Sequence, residues 1–475
     1  MCDWNILYNY FIKINKLDNR NFIFIKYYLN TIYYILFNYN NMDSESDDSD
    51  YYPRKKQNRT KRSNSESDVF EHKIRQRSRS DSFFKSQNKE MQLTYLSKEE
   101  EVYNYLDETI PIRYKILNSS LPLNIKSLII NKIDIYEKMS YEDNEYSKMN
   151  KWINGLSKIP FDNYIKLPIS IQDGNPKIQK FLLNAFTILK ETIYGQNEAK
   201  NKIMQILAQW ISNPNSQGQV IALEGPAGVG KTSLIKNGVS RVLQRPFCFY
   251  ALGGAYDASL LEGHSITYEG STWGRMCEML MESRVMNPII FFDELDKISS
   301  SDKGNDINGL MIHLTDPTQN NIYQDKYFSG IHLDFSKAIF FFSYNDVNKV
   351  NKILKDRLTV IKFHGYSIYE KIEIIKKYLF KDLIENVGLE VNDVSIKDDV
   401  VYYILEKYCN NEEGMRDSKR VIEELLLRIN LLKLLHNDKK NNMNKKLEID
   451  YNIPNLNFPL ELTIEHVNNL LKNYI

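Results

Sequence analysis

The stretch GPAGVGKTS, Gly225 to Ser233, decides how the rest of the chain is read. It follows the apolar run VIALE and leads into the helical pattern SLIKNGVSRVL, which sets a Gly-x-x-x-x-Gly-Lys-Thr loop between a strand and a helix. Gly225, Gly228 and Gly230, with Pro226, Ala227 and Val229 between them, let backbone amides close around phosphate oxygens. The helix N-terminus behind them favours negative charge. Lys231 is placed to reach the β- and γ-phosphates of a nucleotide, Thr232 offers its hydroxyl to magnesium, and Ser233 ends the motif. A plain glycine turn would not require Lys-Thr at those places.

Some sixty residues on, PIIFFDELDK (288–297) is a buried strand ending in two consecutive carboxylates. Asp293 is expected to hold magnesium through water, and Glu294 to polarise an attacking water, which points to hydrolysis rather than passive nucleotide binding. AIFFFSYND places Asn345 just beyond the next apolar strand, where a neutral amide can orient water near the γ-phosphate. KDRLTVIKF carries Arg357 ahead of a further strand, and EEGMRDSKRVIEELL carries Arg416 at the start of a helix. Taken alone, each arginine reads as surface charge.

Five short apolar runs, VIALEG, PFCFYALGG, PIIFFDE, AIFFFSYN and VIKFHG, alternate with helical patterns, as expected of a parallel sheet in an α/β domain. We place this P-loop domain at 186–367. A helical segment is expected before it, at 93–185, from patterns such as IKSLIINKIDIYEKM, and a smaller all-helical subdomain after it, at 368–475. Residues 42–92, rich in Ser, Asp, Arg and Lys, read as a disordered tail. Residues 1–41 contain an aromatic and aliphatic run, at 20–41, interrupted by Lys26 and Asn30. It reads as a membrane anchor, an interfacial helix, or an upstream extension with translation starting at Met42.

The 62 basic and 61 acidic residues of the 475 nearly cancel, so charge makes no general case for nucleic acid or an anionic membrane. The four cysteines, Cys2, Cys248, Cys277 and Cys409, have neither metal-ligand nor disulfide spacing. A reducing, intracellular and cytoplasmic location is the expectation.

These motifs, in this order, resemble an AAA+ ATPase, and more narrowly the ATPase module of Lon proteases. GGAYDASLLEGHSITYEGSTWGRMCEML, HLTDPTQNNIYQDKYFSGIHLDFSKAIFFFSYND and ILKDRLTVIKFHGYSIYEKIEIIKKYL carry the likeness, with MNKWINGLSKIPF and ILKETIYGQNEAKNKIMQILA upstream. The resemblance covers about residues 115 to 475. It implies ATP and Mg2+ as ligands, Asn345 as sensor 1, Arg357 as an arginine finger reaching a neighbouring subunit, Arg416 as sensor 2, and a homo-hexamer. Ile193 and Tyr194 would border the adenine, although apolar helix-end packing accounts for them equally well. The chain stops at LTIEHVNNLLKNYI, about where a Lon protease domain would begin, so no peptidase activity is expected of it.

Tyr268, in ITYEGSTWGR (266–275), falls where Lon-like modules carry the pore loop. It is expected to grip a protein substrate threaded through the ring, with Gly270 and Gly274 letting the loop shift and Trp273 packing at its base. The leading function is thus a protein unfoldase or remodeller. A nucleotide-controlled scaffold and a nucleic-acid motor are the alternatives, the latter opposed by Glu269 and the absence of lysine in the loop.

Overall fold

The computed structural model describes residues 83–475 apart from 85, 107–109, 144, 215, 217–219, 300, 410, 411, 437–448, 455 and 475. The apolar run at 20–41, Cys2 and most of the proposed tail lie outside the described residues. Contacts divide the chain into two units, 1–106 and 107–475. In the first unit, helix α1 (Lys89–Leu106) begins inside the stretch assigned to the tail. Asn88 caps it, accepting from the Met91 amide at 2.8 Å. A polar helix with such a cap has no apolar stripe to reveal its first turn in the sequence.

The second unit opens with α2 (Ile112–Asn118), α3 (Leu123–Lys138) and α4 (Tyr146–Ser157). Proline at the N-cap starts the first two, and α3 buries Ile125, Ile129 and Ile133, one per turn. A loop containing Pro160 and Pro168 leads to α5 (Asn175–Thr192) and α6 (Asn197–Ser212). The α/β part follows as β1 (Val220–Glu224), a continuous helix α7 made of Lys231–Ser233, Leu234–Val239 and Ser240–Leu243, β2 (Phe247–Ala251), α8 (Arg275–Ser283), β3 (Ile289–Asp293), α9 (Asp302–Thr315), β4 (Ile339–Tyr344) and β5 (Thr359–Lys362). The five strands lie in the order β2-β3-β4-β1-β5, and every pair is parallel.

Alternation along the strands sends successive side chains to opposite faces. Phe292, Phe340 and Phe342 belong to one core, which also takes in Ile129, Ile133, Trp152 and Leu156 from the upstream helices. Phe291 and Phe341 belong to another, shared with Leu189, Leu207 and Leu234 from α5, α6 and α7. The helical segment therefore covers one face of the sheet, and the boundary drawn at 185/186 falls inside α5.

After β5, Ser367 caps α10 (Ile368–Ile374, continuing through Ile375–Leu379 and Phe380–Val387) in a capping box with Glu370. The subdomain then holds β6 (Val394–Ile396), α11 (Asp398–Tyr408), α12 (Arg416–His436), β7 (Leu460–Leu462) and α13 (Ile464–Leu470) around its own core. It is not all-helical as expected, because β6 and β7 form a parallel pair. Three-residue strands joined across sixty residues leave no local signal. Among the described residues no helix is long and apolar enough to cross a membrane. Cys248, Cys277 and Cys409 are free thiols in buried positions.

Phe292 is fully buried and stacks on Phe342 (centroids 5.2 Å, 21° between planes). Phe292→Ala is expected to cost about 3–5 kcal/mol, read from the urea unfolding transition, by lost transfer energy and a residual cavity. A loss below about 1 kcal/mol would contradict this packing.

Candidate nucleotide site

Parallel pairing brings the carboxyl ends of β1, β3 and β4 to one edge of the sheet, and the segments that follow them meet there. They enclose a cleft of about 500 Å³. Its floor is the loop 227–233, one wall carries Asp293, Glu294, Ser343 and Asn345, the far end carries Ile193 and Tyr194, and the C-terminal subdomain supplies Tyr378, Met415 and Arg416.

Gly228 and Gly230 take left-handed backbone angles, φ 79° and 94°, so the loop folds back on itself before α7 starts. Lys231, at the first position of that helix, is buried. Its ammonium donates to the carbonyl oxygens of Gly225 and Pro226, to Tyr344 O at 3.4 Å and to Asn345 Oδ1 at 2.6 Å. Burial pushes its pKa from an ordinary 10.5 down to about 8, against the opposing pull of Asp293 and Asp296.

Asp293 ends β3 and accepts from the Ser343 hydroxyl and from the Glu294 amide, the latter at 3.1 Å. Glu294 sits in the left-handed region, φ 61°, a conformation costing on the order of 1 kcal/mol for a residue with a side chain. Its carboxylate rests on Gly253 in the turn just after β2, where an added methyl would lie 2.2 Å from Oε2. Asp296 is buried in the same wall, with Oδ2 accepting from the Asp346 amide at 3.2 Å and Oδ1 without a partner among the described residues.

The C-terminal subdomain closes directly on the phosphate loop. Met415 N donates to Gly228 O at 3.2 Å, Tyr366 Oη donates to Val229 O at 3.0 Å, and a methyl at Gly414 would lie 2.0 Å from Ala227 O. Glycine is required at 414 for this backbone approach, and Arg416 is carried to the cleft by it. At the other end Ile193 lies against Gly230 and gives its carbonyl to Lys200 Nζ at 2.7 Å, while Tyr194 meets Tyr378 edge to face at 6.3 Å. Both line the cleft and both also pack in the core.

The structure thus brings together Ile193, Tyr194, Lys231, Thr232, Asp293, Glu294, Asn345 and Arg416. Arg357 does not line the cleft; its Nη1 is held 2.8 Å from Ile312 O, near the end of α9, and 3.1 Å from Asp316 Oδ2. Tyr268 is also remote, two-thirds exposed on its loop. Gly270 of that loop has φ 75° and open space around it, whereas Gly274 is wedged 2.1 Å, at the position of an added methyl, from Leu261 O. The expectation that Gly274 gives the loop freedom is therefore corrected: it permits a close approach that fixes the stem. Sequence reasoning missed Ser343, Asp296, Gly253 and Tyr378. Only the first two had a signal, as polar residues at or just past apolar strands.

Fold and site together define a P-loop ATPase of the AAA+ class. Residues 221–366 match the family described as ATPase family associated with various cellular activities (AAA). The chain is 38% identical over 333 residues to a Lon protease homolog of Acanthamoeba polyphaga mimivirus, covering 68% of this chain and 32% of that one. It is 32% identical over 356 residues to Lon protease of Campylobacter jejuni, covering 74% and 42%, and 30% identical over 309 residues to the mitochondrial Lon protease homolog of Yarrowia lipolytica, covering 65% and 25%. The chain carries a Lon-like AAA+ ATPase module. The match spans less than half the length of these curated relatives.

By its place in the motif, Lys231 is expected to hold a phosphate ligand through its charged form. On that expectation affinity is full below about pH 8 and is lost as pH rises through that value. Metal-free ADP should bind about tenfold more weakly at pH 9 than at pH 7, by calorimetry, while adenosine shows no such bend. A flat ADP profile would remove the assigned role of Lys231.

Proposed function

We propose that the module is an ATP-hydrolysing motor that remodels or unfolds proteins, working as a homo-hexamer and without a peptidase centre in these 475 residues. The observation that carries the reading is the separation of Tyr268 from the cleft. An aromatic side chain 67% exposed stands on an open loop with a pinned stem, between the phosphate loop and the acidic strand end in sequence. Such a ring can grip a chain without sequence preference.

The residues divide the hydrolysis as follows. The loop amides and Lys231 bind the phosphates of ATP, and the Ile193–Tyr194 end takes the base. Thr232 and Asp293 hold Mg2+, which when bound neutralises charge on the phosphates. The glycine cradle, the Asp293 carboxylate fixed by Ser343 and Thr232 in the same cleft lining fit that ion and nucleotide. Glu294 takes the proton from the attacking water, Asn345 orients that water, and Arg416 senses the nucleotide from the lid. Arg357, away from its own cleft, serves the neighbouring subunit's γ-phosphate, which requires a ring. The curated relatives are named proteases; here ATP turnover is proposed to proceed with no cleavage of the bound protein.

Tyr268→Ala should keep most ATPase activity and lose unfolding of a fluorescent protein with an unstructured tail; undiminished unfolding sinks the threading model. Arg357→Ala and Glu294→Gln should each lose hydrolysis by about a hundredfold or more, while Glu294→Gln still binds ATP. Mixing the two inactive proteins should restore measurable turnover, because a subunit with intact Glu294 can then receive Arg357 from its neighbour. Mixtures as inactive as either parent would contradict a finger acting between subunits.

A further inference from the structure

We infer that Lys151 and Gly155, on α4, are positioning residues for the loop that carries Tyr268, so that the helical segment ahead of the ATPase module sets where that loop points. The inference rests on the loop's proposed role in gripping substrate. Lys151 and Gly155 are one turn apart and so share a helix face. From it Lys151 Nζ donates to Ser271 O at 2.6 Å, a charge-assisted bond to the loop's own backbone. A methyl at Gly155 would lie 2.7 Å from Trp273 Cζ3 and 3.0 Å from Phe328 Cζ, so no side chain fits between the helix and the rings.

Trp273 is gripped from further sides. It stacks on Phe328 (6.0 Å, 18°) and meets Tyr327 edge-on (5.8 Å, 75°), while Trp152 of α4 tilts against Phe328 at 5.8 Å. The buried carboxylate of Asp325 accepts from Gly274 N and Tyr327 N, both at 2.8 Å, tying the stem to the turn that bears the two rings. His264 N to Thr272 O, 3.1 Å, closes the stem. Nothing comparable surrounds Gly270, which has no atom within 4 Å of an added methyl. The stem is thus tied to the rest of the fold, whereas the tip bonds within its own turn, Tyr268 N to Ser265 O at 3.1 Å and Ser271 N to Tyr268 O at 3.4 Å. Two of the contacts on the stem come from a helix outside the nucleotide-binding sheet. Neither residue lines the nucleotide cleft.

The test compares four variants of the assembled protein. Lys151→Met removes the bond to Ser271 and keeps the aliphatic stem; Gly155→Ala pushes Trp273 off Phe328; Lys151→Arg keeps a donor; Gly155→Ala with Trp273→Phe clears the methyl with a smaller ring. Basal ATP turnover should stay within about twofold of the parent, while stimulation by casein and the rate of unfolding a tailed fluorescent protein fall about tenfold in Lys151→Met and Gly155→Ala. Lys151→Arg and the double variant should recover most of that loss. If Lys151→Met and Gly155→Ala unfold as the parent does while Tyr268→Ala does not, the inference is wrong and the loop's role stands. Equal loss of basal and stimulated turnover would make both residues merely structural and overturn the inference. Normal unfolding by Tyr268→Ala would remove the loop's role and the inference with it.

Discussion

Parallel pairing of β1 with β4 on one side and β5 on the other is the constraint on which the rest depends. It sets Glu224 beside Tyr344 and Lys362, so the phosphate loop leaves the sheet at the level where β4 delivers Asn345. Through β4 the same alignment reaches β3 and its terminal carboxylate. No residue of the cleft needs a long reach, because the strands end together.

That edge is dry enough to alter its own chemistry. Holding Lys231 out of water lowers its pKa from 10.5 to about 8, which corresponds to roughly 3 kcal/mol of lost preference for the charged form. Four oxygen acceptors offset part of that cost. A phosphate ligand would restore the charged form fully, so binding and protonation reinforce one another. The lid adds to this by bonding the Met415 amide to Gly228 O, and the Tyr366 hydroxyl just ahead of the lid donates to Val229 O. The subdomain and the phosphate loop are thereby tied together at Gly228 and Ala227.

Much of this was legible beforehand. The five apolar runs became the five strands, and the motif residues at 227–233, 293, 294 and 345 line one cleft, because strand ends and tight glycine turns are local properties. What escaped was non-local. Ser343 lies two residues before Asn345 but acts on Asp293 across the sheet, and Gly414 looks like one more loop glycine until Ala227 O lies against it. The pair β6 and β7 escaped for the same reason, since two three-residue strands some sixty residues apart leave no local signal, whereas the early start of α1 escaped because its opening residues Lys89 and Glu90 are polar.

The sequence by itself determined the P-loop α/β architecture, the placement of Lys231 in its glycine loop and of the acidic pair Asp293 and Glu294 at a strand end, and the position of Tyr268 between them. These follow from residue type at fixed short spacing, where covalent geometry leaves little choice. Only the tertiary structure decided that Arg357 turns away from its own cleft, that Gly274 is a wedge rather than a hinge, and that α4 grips the loop through Lys151 and Gly155. Each of those depends on a partner between about 10 and 120 residues away in sequence, brought into contact by burial of the shared cores, and no local pattern records such a partner.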